Sequence, residues 1–275
     1  MKRIVIMNCI TISLIVILSY ISTPNNQILA NHHLITGFGS VIAFMSVLWI
    51  VSLLVKDASI VDIFWGPAFI VLGSSLLVSM DQVYSERSLF ILFLVSLWAI
   101  RLASHIGFRN IGHGEDFRYV EWRKESGKNY WWHSFIRVFL LQGGLCTLVG
   151  VSIYFGYLNE KPLSFIETMF ASTIFFIGLA WESISDLQLK AFRKDPKNKG
   201  RICKSGLWKY SRHPNYVGEI VLWTGVSVMS FSSLSGVQYI ALISPIFTYL
   251  LLVYVSGVST VSYTHLRAHE TEADL

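Results

Sequence analysis

Charge is scarce in this sequence: only 14% of its 275 residues are Asp, Glu, Lys or Arg, against about a quarter in a typical soluble domain. That shortage argues against a water-soluble globular domain. Cysteine is also rare, and Cys9, Cys146 and Cys203 form no CxxC pair, so neither a disulfide framework nor a cysteine zinc site is indicated. The chain has no GxGxxG, no GxxxxGK[ST] and no GxSxG, which speaks against a soluble nucleotide-binding domain or a nucleophile elbow. HExxH is missing too. The one pair of histidines four apart, His265 and His269, falls in an atypical tail, so no metal site is read. No block of five or more Lys/Arg occurs, so the net charge of +5 does not point to nucleic acid.

What the sequence has instead is apolar length. Hydrophobic residues make up 53% and mean hydropathy is +0.53. They gather in runs of about 20 residues, the length that crosses roughly 30 Å of hydrocarbon as a helix. Candidate spans fall at roughly 4–22, 37–55, 60–80, 88–105, 135–157, 164–182, 217–233 and 237–257. The expected fold is therefore all-α, a polytopic transmembrane helical bundle of about seven to eight spans. The first span, behind Lys2 and Arg3, is read as a retained anchor because no small-x-small cleavage site follows; a signal peptide is the alternative.

Cations divide sharply between the connecting segments. With the N-terminus inside, 19 of the 22 Lys/Arg are cytoplasmic, including seven over 101–137 and nine over 190–212. Arg87 and Lys161 fall outside and Arg267 lies in the tail. This is the asymmetry of the positive-inside rule, and it puts the motif loops on the cytoplasmic side of the membrane. Residues 1–258 are read as one transmembrane domain. Residues 259–275 are polar and without periodicity, and 262–271 resemble translated adapter sequence, so they are expected to be a non-native or disordered tail.

Four constellations could carry chemistry. Glu182, Asp186 and Lys190 are spaced i, i+4, i+8 and share a helix face, with Arg193 returning to that side. Ionisable groups at a membrane edge are costly unless they face a bundle interior; a solvated helix end laced with acid–lysine pairs is the alternative. The second is GLWKYSRHPNYVGE (206–219), where Pro214 suits the first turn of a helix. Free N–H groups at that helix start make an anion site beside Tyr210, Arg212 and His213. A positive-inside flank with a proline start explains Arg212 and Pro214, but not Asn215 and Glu219 deeper in the helix. The third is Asp62 within DIFWG (62–66), either a substrate-facing acid or a dipole-stabilised helix start. The fourth runs from Arg101 and His105 to Arg109, with Asp116, Arg118 and Tyr119 following. These are either topology markers or phosphate and proton-relay groups.

GLWKYSRHPNYVGE, preceded by WESISDLQLKAF (181–192) and DIFWG, resembles the steroid 5-alpha-reductase superfamily, specifically a bacterial branch of predicted membrane reductases. The resemblance covers nearly all of 55–258, with the three motifs in the expected order. It implies a bundle in the bacterial inner membrane that binds NADPH from the cytoplasmic side and reduces an activated alkene in a hydrophobic, lipid-like small molecule. Asp186, Arg193, Asn215 and Glu219 then match cofactor-contacting positions. Glu182, Lys190, Tyr210, Arg212 and His213 are assigned to the same cofactor site. Asp62 is the expected substrate-side acid, with Tyr119 as the second choice. Members of that superfamily continue past the equivalent of Gly257 with a short basic segment that completes the nucleotide site. This chain departs there, which puts its activity in doubt. An Arg-His-Pro-x-Tyr-x-Gly helix start also occurs in S-adenosylmethionine-dependent membrane methyltransferases of the isoprenylcysteine or phospholipid type, the alternative reading. A non-catalytic lipid-binding protein is a third. Substrate identity and oligomeric state are not legible in the sequence.

Overall fold

The computed structural model describes residues 7–11, 13–15, 17, 27–80, 85–110, 112–159, 161–230 and 236–255. Among them there is no strand, and the expectation of a transmembrane helical bundle holds. Five helical runs are long and apolar enough to cross a membrane: His32–Val55, Ile60–Ser79, Glu86–Asn110, Phe117–Val149 and Phe165–Lys194. A shorter apolar run, Tyr239–Tyr254, follows. The described residues thus give five full-length spans where the sequence suggested seven to eight. Most of the first expected span, and the whole of 259–275, lie outside the described residues.

The helices are α1 (Gln27–Val55), α2 (Ile60–Ser79), α3 (Glu86–Asn110), α4 (Phe117–Ser126), α5 (Tyr130–Ser134), α6 (Leu141–Val149), α7 (Val151–Tyr157), α8 (Phe165–Lys194), α9 (Pro214–Ser230) and α10 (Ile243–Leu250). A π-helical turn, Phe135–Leu140, joins α5 to α6. Gly150 separates α6 from α7, so the expected single span over 135–157 is interrupted twice. α3 also runs on to Asn110, well past the predicted end near 105. Apolar content alone marks where lipid ends, whereas a helix continues as long as its polar face finds partners.

Close helix crossings depend on glycine. A Cβ on Gly178 would fall 2.4 Å from the backbone nitrogen of Leu222, and one on Gly218 would fall 2.5 Å from that of Glu182. One on Gly225 would fall 2.6 Å from that of Phe175. α8 and α9 therefore touch backbone to backbone, the small-residue packing that joins helices where lipid supplies no hydrophobic drive. Gly66 does the same for α2 against α3, where a Cβ would lie 2.6 Å from the Ala99 carbonyl oxygen. Between these pairs sits an aromatic centre. Phe69, Trp98 and Trp223 are fully buried, with ring centroids 4.9 to 5.3 Å apart.

This packing sorts the connections to two ends. At one end, the turn at 56–59, the start of α4 and the loop at 195–213 come together with the end of α3 and the start of α9. At the other, the buried Arg87 guanidinium donates to the carbonyls of Met229 (2.6 Å) and Lys161 (3.2 Å). The segments grouped on one side by their cations share one end of the bundle, and Arg87 and Lys161 share the opposite end.

Candidate functional site

The crossing of α8 and α9 places Glu182 against Gly218, which brings Glu182, Asp186 and Glu219 to one place. Their organising group is Arg101, on α3. Its Nη1 donates to Glu182 Oε1 at 2.6 Å and its Nη2 to Asp186 Oδ2 at 2.5 Å. Trp98, one turn earlier on α3, donates Nε1–H to the other Glu182 oxygen at 3.2 Å. His105, one turn later, brings Nε2 within 3.6 Å of Asp186 Oδ2. Trp98, Arg101 and His105 thus form a ladder along one helix face that reads two carboxylates of α8. Glu182, Ser185 and Asp186 are buried, so these charges are held inside the bundle.

A second cluster lies beside it at the same end. Asp62, near the start of α2, accepts from the Tyr119 hydroxyl at 2.8 Å and from Arg118 Nη2 at 3.0 Å. Arg118 also donates Nε–H to Asp116 at 2.9 Å, so one guanidinium spans two carboxylates. Tyr119 is buried and packs edge-on against Trp122. α4 is held in position from both sides. Asp116 caps its first turn by accepting from the Arg118 N–H. Glu115 accepts from the Ala58 N–H at 2.8 Å and from Arg123. Burial works to raise the Asp116 carboxyl, but the Arg118 hydrogen bonds outweigh it and hold it below the ordinary carboxylate value.

The start of α9 completes the arrangement. His213 stacks on Tyr216, with centroids 5.0 Å apart and planes 17° apart. Burial lowers the His213 imidazole, and Arg212 lowers it further, so the ring is neutral at pH 7. Asn215 Oδ1 is buried and has no hydrogen-bond partner. The loop before α9 is fixed to α8: Gln188 accepts from the Leu207 N–H at 2.9 Å and Trp208 donates to the Ser185 carbonyl at 3.0 Å. Gly206 is needed there, because its φ is +59° and a Cβ would strike the Gln188 amide at 2.5 Å.

The structure therefore brings together Glu182, Asp186 and Glu219, with Asn215 one turn from Glu219 on α9, and it pairs Asp62 with Tyr119. Lys190, Arg193, Tyr210 and Arg212 are exposed at the rim of the same end, and His213 is half-buried. Arg101, His105 and Trp98 meet these carboxylates; the sequence offers the first two as topology markers or phosphate and proton-relay groups and gives no signal for Trp98. Ionisable groups at i and i+4 near the end of an apolar helix are the available signal. Among the described residues no three His, Cys, Asp or Glu side chains are placed to hold a metal ion.

A family model described as "Protein of unknown function (DUF1295)" matches residues 48–274. The chain is also 34% identical over 65 residues to a protein named "Probable O-methyltransferase ustE" from Ustilaginoidea virens. That alignment takes in 24% of this chain and 23% of that protein, so it spans less than a quarter of the relative's length. No solved structure matches.

Proposed function

The chain belongs to the DUF1295 family, and within it we propose a membrane enzyme that uses NADPH to reduce a carbon–carbon double bond in a lipid-like substrate, as in steroid 5-alpha-reductase-like proteins. The observation that carries this reading is the Tyr119–Asp62 pair: a buried phenol hydrogen-bonded to a carboxylate, backed by Arg118, beside a second polar cluster at one end of an apolar bundle. Reduction of an enone requires an acid that polarises the carbonyl and returns a proton to the neighbouring carbon. The pair holds a proton between a buried phenol and a partly buried carboxylate, where such donors act more strongly than in open water.

The other polar cluster suits NADPH by its donors and acceptors. Asn215 Oδ1, buried without a partner, is an acceptor in search of an N–H or O–H donor. Glu219 and Asp186 offer further acceptors for ribose hydroxyls or a carboxamide. Lys190, Arg193 and Arg212 at the rim offer the cations that phosphates require. Arg101 keeps Glu182 and Asp186 oriented, and Tyr210 and His213 lie just before the start of α9. When bound, NADPH would supply the hydride. The chain's own residues would hold the cofactor, exclude water and deliver the proton. The substrate is expected to approach through the apolar part of the bundle.

A methyltransferase using S-adenosylmethionine is the second reading, favoured by the printed name of the relative from Ustilaginoidea virens. The two separate in one experiment. Purified protein is incubated with NADPH and a panel of lipid enones, and NADPH absorbance and saturated product are followed together. The reductase reading expects coupled consumption, with Tyr119→Phe lowering turnover about a hundredfold or more while leaving NADPH affinity unchanged. Methyl transfer from labelled S-adenosylmethionine, with no NADPH consumption, would replace it with the second reading.

A further inference from the structure

The end of α8 and the loop that follows it to α9 carry more positive charge than a cofactor site can use. From 190 to 212 there are nine Lys or Arg and a single acid, Asp195. Asp195 is occupied in accepting the Lys197 N–H at 3.0 Å. All nine cations are exposed, and none forms an ion pair among the described residues. Elsewhere at this end of the bundle most arginines are matched: Arg101, Arg118, Arg123 and Arg137 each hold a carboxylate. A fixed surface with this much unmatched charge of one sign calls for an anionic partner.

Depth says which kind. The exposed face of α8 is an apolar stripe, Ile177, Trp181, Ile184 and Leu187, spaced by three or four residues and therefore facing lipid along one side. The stripe ends at Leu187, which is 64% exposed, and Lys190 follows one turn later. The basic segment thus starts on the last turns of α8, where the hydrocarbon-facing surface stops, at headgroup level. Within it Ile202 (57% exposed) and Tyr210 (77%) stand out among the cations, the mixture of basic and apolar side chains that inserts into a lipid interface. Asn198 donates to the Phe192 carbonyl at 3.0 Å, and the Gln188 and Trp208 bonds pin the other half, so the charges are presented on a held scaffold.

We propose that Lys194, Lys197, Lys199 and Arg201, two turns or more beyond Asp186, form a collar that binds the headgroups of anionic phospholipids in the leaflet at this end of the bundle. The collar is separate from the rim cations assigned to the cofactor, so its existence does not depend on the reductase reading. The collar seats the loop against the membrane surface, and with it the start of α9.

The test uses the full chain in neutral detergent micelles doped with phosphatidylglycerol or phosphatidylcholine, with thermal unfolding as the readout. Phosphatidylglycerol is expected to raise Tm above the phosphatidylcholine value, and 0.5 M NaCl to erase that difference. Each basic side chain at an anionic surface strengthens binding roughly fivefold. Replacing all four with Gln should therefore weaken the apparent phosphatidylglycerol affinity by about two orders of magnitude or more. Lys161→Gln, at the opposite end, should leave it unchanged. Equal shifts with the two lipids, or an equal shift from inorganic phosphate alone, would overturn the proposal. So would an undiminished shift in the fourfold variant. Should that variant not fold, the salt titration of the unaltered chain decides: a salt-insensitive shift refutes the collar.

Discussion

Replacing Arg101 with Met removes a guanidinium that serves two carboxylates and keeps most of the side-chain volume. The geometry sets the cost. The Glu182 and Asp186 side chains are 3% and 8% exposed, while Arg101 is 20% exposed, so the acids lose water that the arginine partly keeps. Breaking a buried pair by removing one partner costs about 3–5 kcal/mol, because the remaining charge is left without compensation. At about 2–4 °C per kcal/mol for a chain approaching this size, the apparent Tm should fall by roughly 6–20 °C. Intrinsic tryptophan fluorescence on heating in detergent, at a fixed scan rate, reads this directly. Arg101→Lys should fall between, since an ammonium cannot fork to two carboxylates. Adding Glu182→Gln to Arg101→Met should restore part of the loss, with a coupling of about 1 kcal/mol or more. A Tm within a degree or two of the parent, or strictly additive losses, would refute the claim that Arg101 organises the site.

Other consequences follow from the same geometry. Gly218→Ala places a methyl group 2.5 Å from the Glu182 backbone nitrogen and 2.8 Å from its Cα, so α8 and α9 must separate; a loss of about 1–3 kcal/mol is expected. Gly39→Ala, where a Cβ meets open space, is the control and should be neutral or mildly stabilising. His213 has a folded-state value below its ordinary 6.5. Its contribution to stability is therefore complete above about pH 6.5 and declines on acidification, as the unfolded state takes up the proton first. Asp116 lies below its ordinary 3.8, so its contribution is retained above that value and lost as pH falls further. Tm measured against pH should show the first decline, and His213→Gln should remove it.

Much of this was readable in advance. The i, i+4 spacing of Glu182 and Asp186 predicted a shared face, and both are buried on the same side of α8. Glu219 was singled out because a lone acid inside an apolar helix needs a reason, and the structure places it beside the other two. Asp62 and Tyr119, weighed as alternatives for one role, are bonded to each other. Arg101 stands among the sequence candidates only as a topology marker or a phosphate or proton-relay group, not as the partner of Glu182 and Asp186. An arginine at the end of an apolar run satisfies the positive-inside rule wherever it points, and only the α3–α8 contact reveals its two carboxylates. The π-helical turn at 135–140 and the break at Gly150 were equally hidden, because hydropathy is blind to how a helix is wound. Lys190 shows the limit of periodicity: it follows Asp186 by one turn, yet it is exposed, since the helix leaves the bundle before reaching it.

The central claim is that the polar end of the bundle holds a phosphorylated nicotinamide cofactor. Its most direct test is a tryptophan-quenching titration of the purified full chain with NADPH, NADH and S-adenosylmethionine side by side. The account predicts saturable NADPH binding, about tenfold or more tighter than NADH because rim cations meet the 2′-phosphate. That preference should be lost in Arg193→Gln/Arg212→Gln. Saturable binding of S-adenosylmethionine with none of NADPH would contradict it.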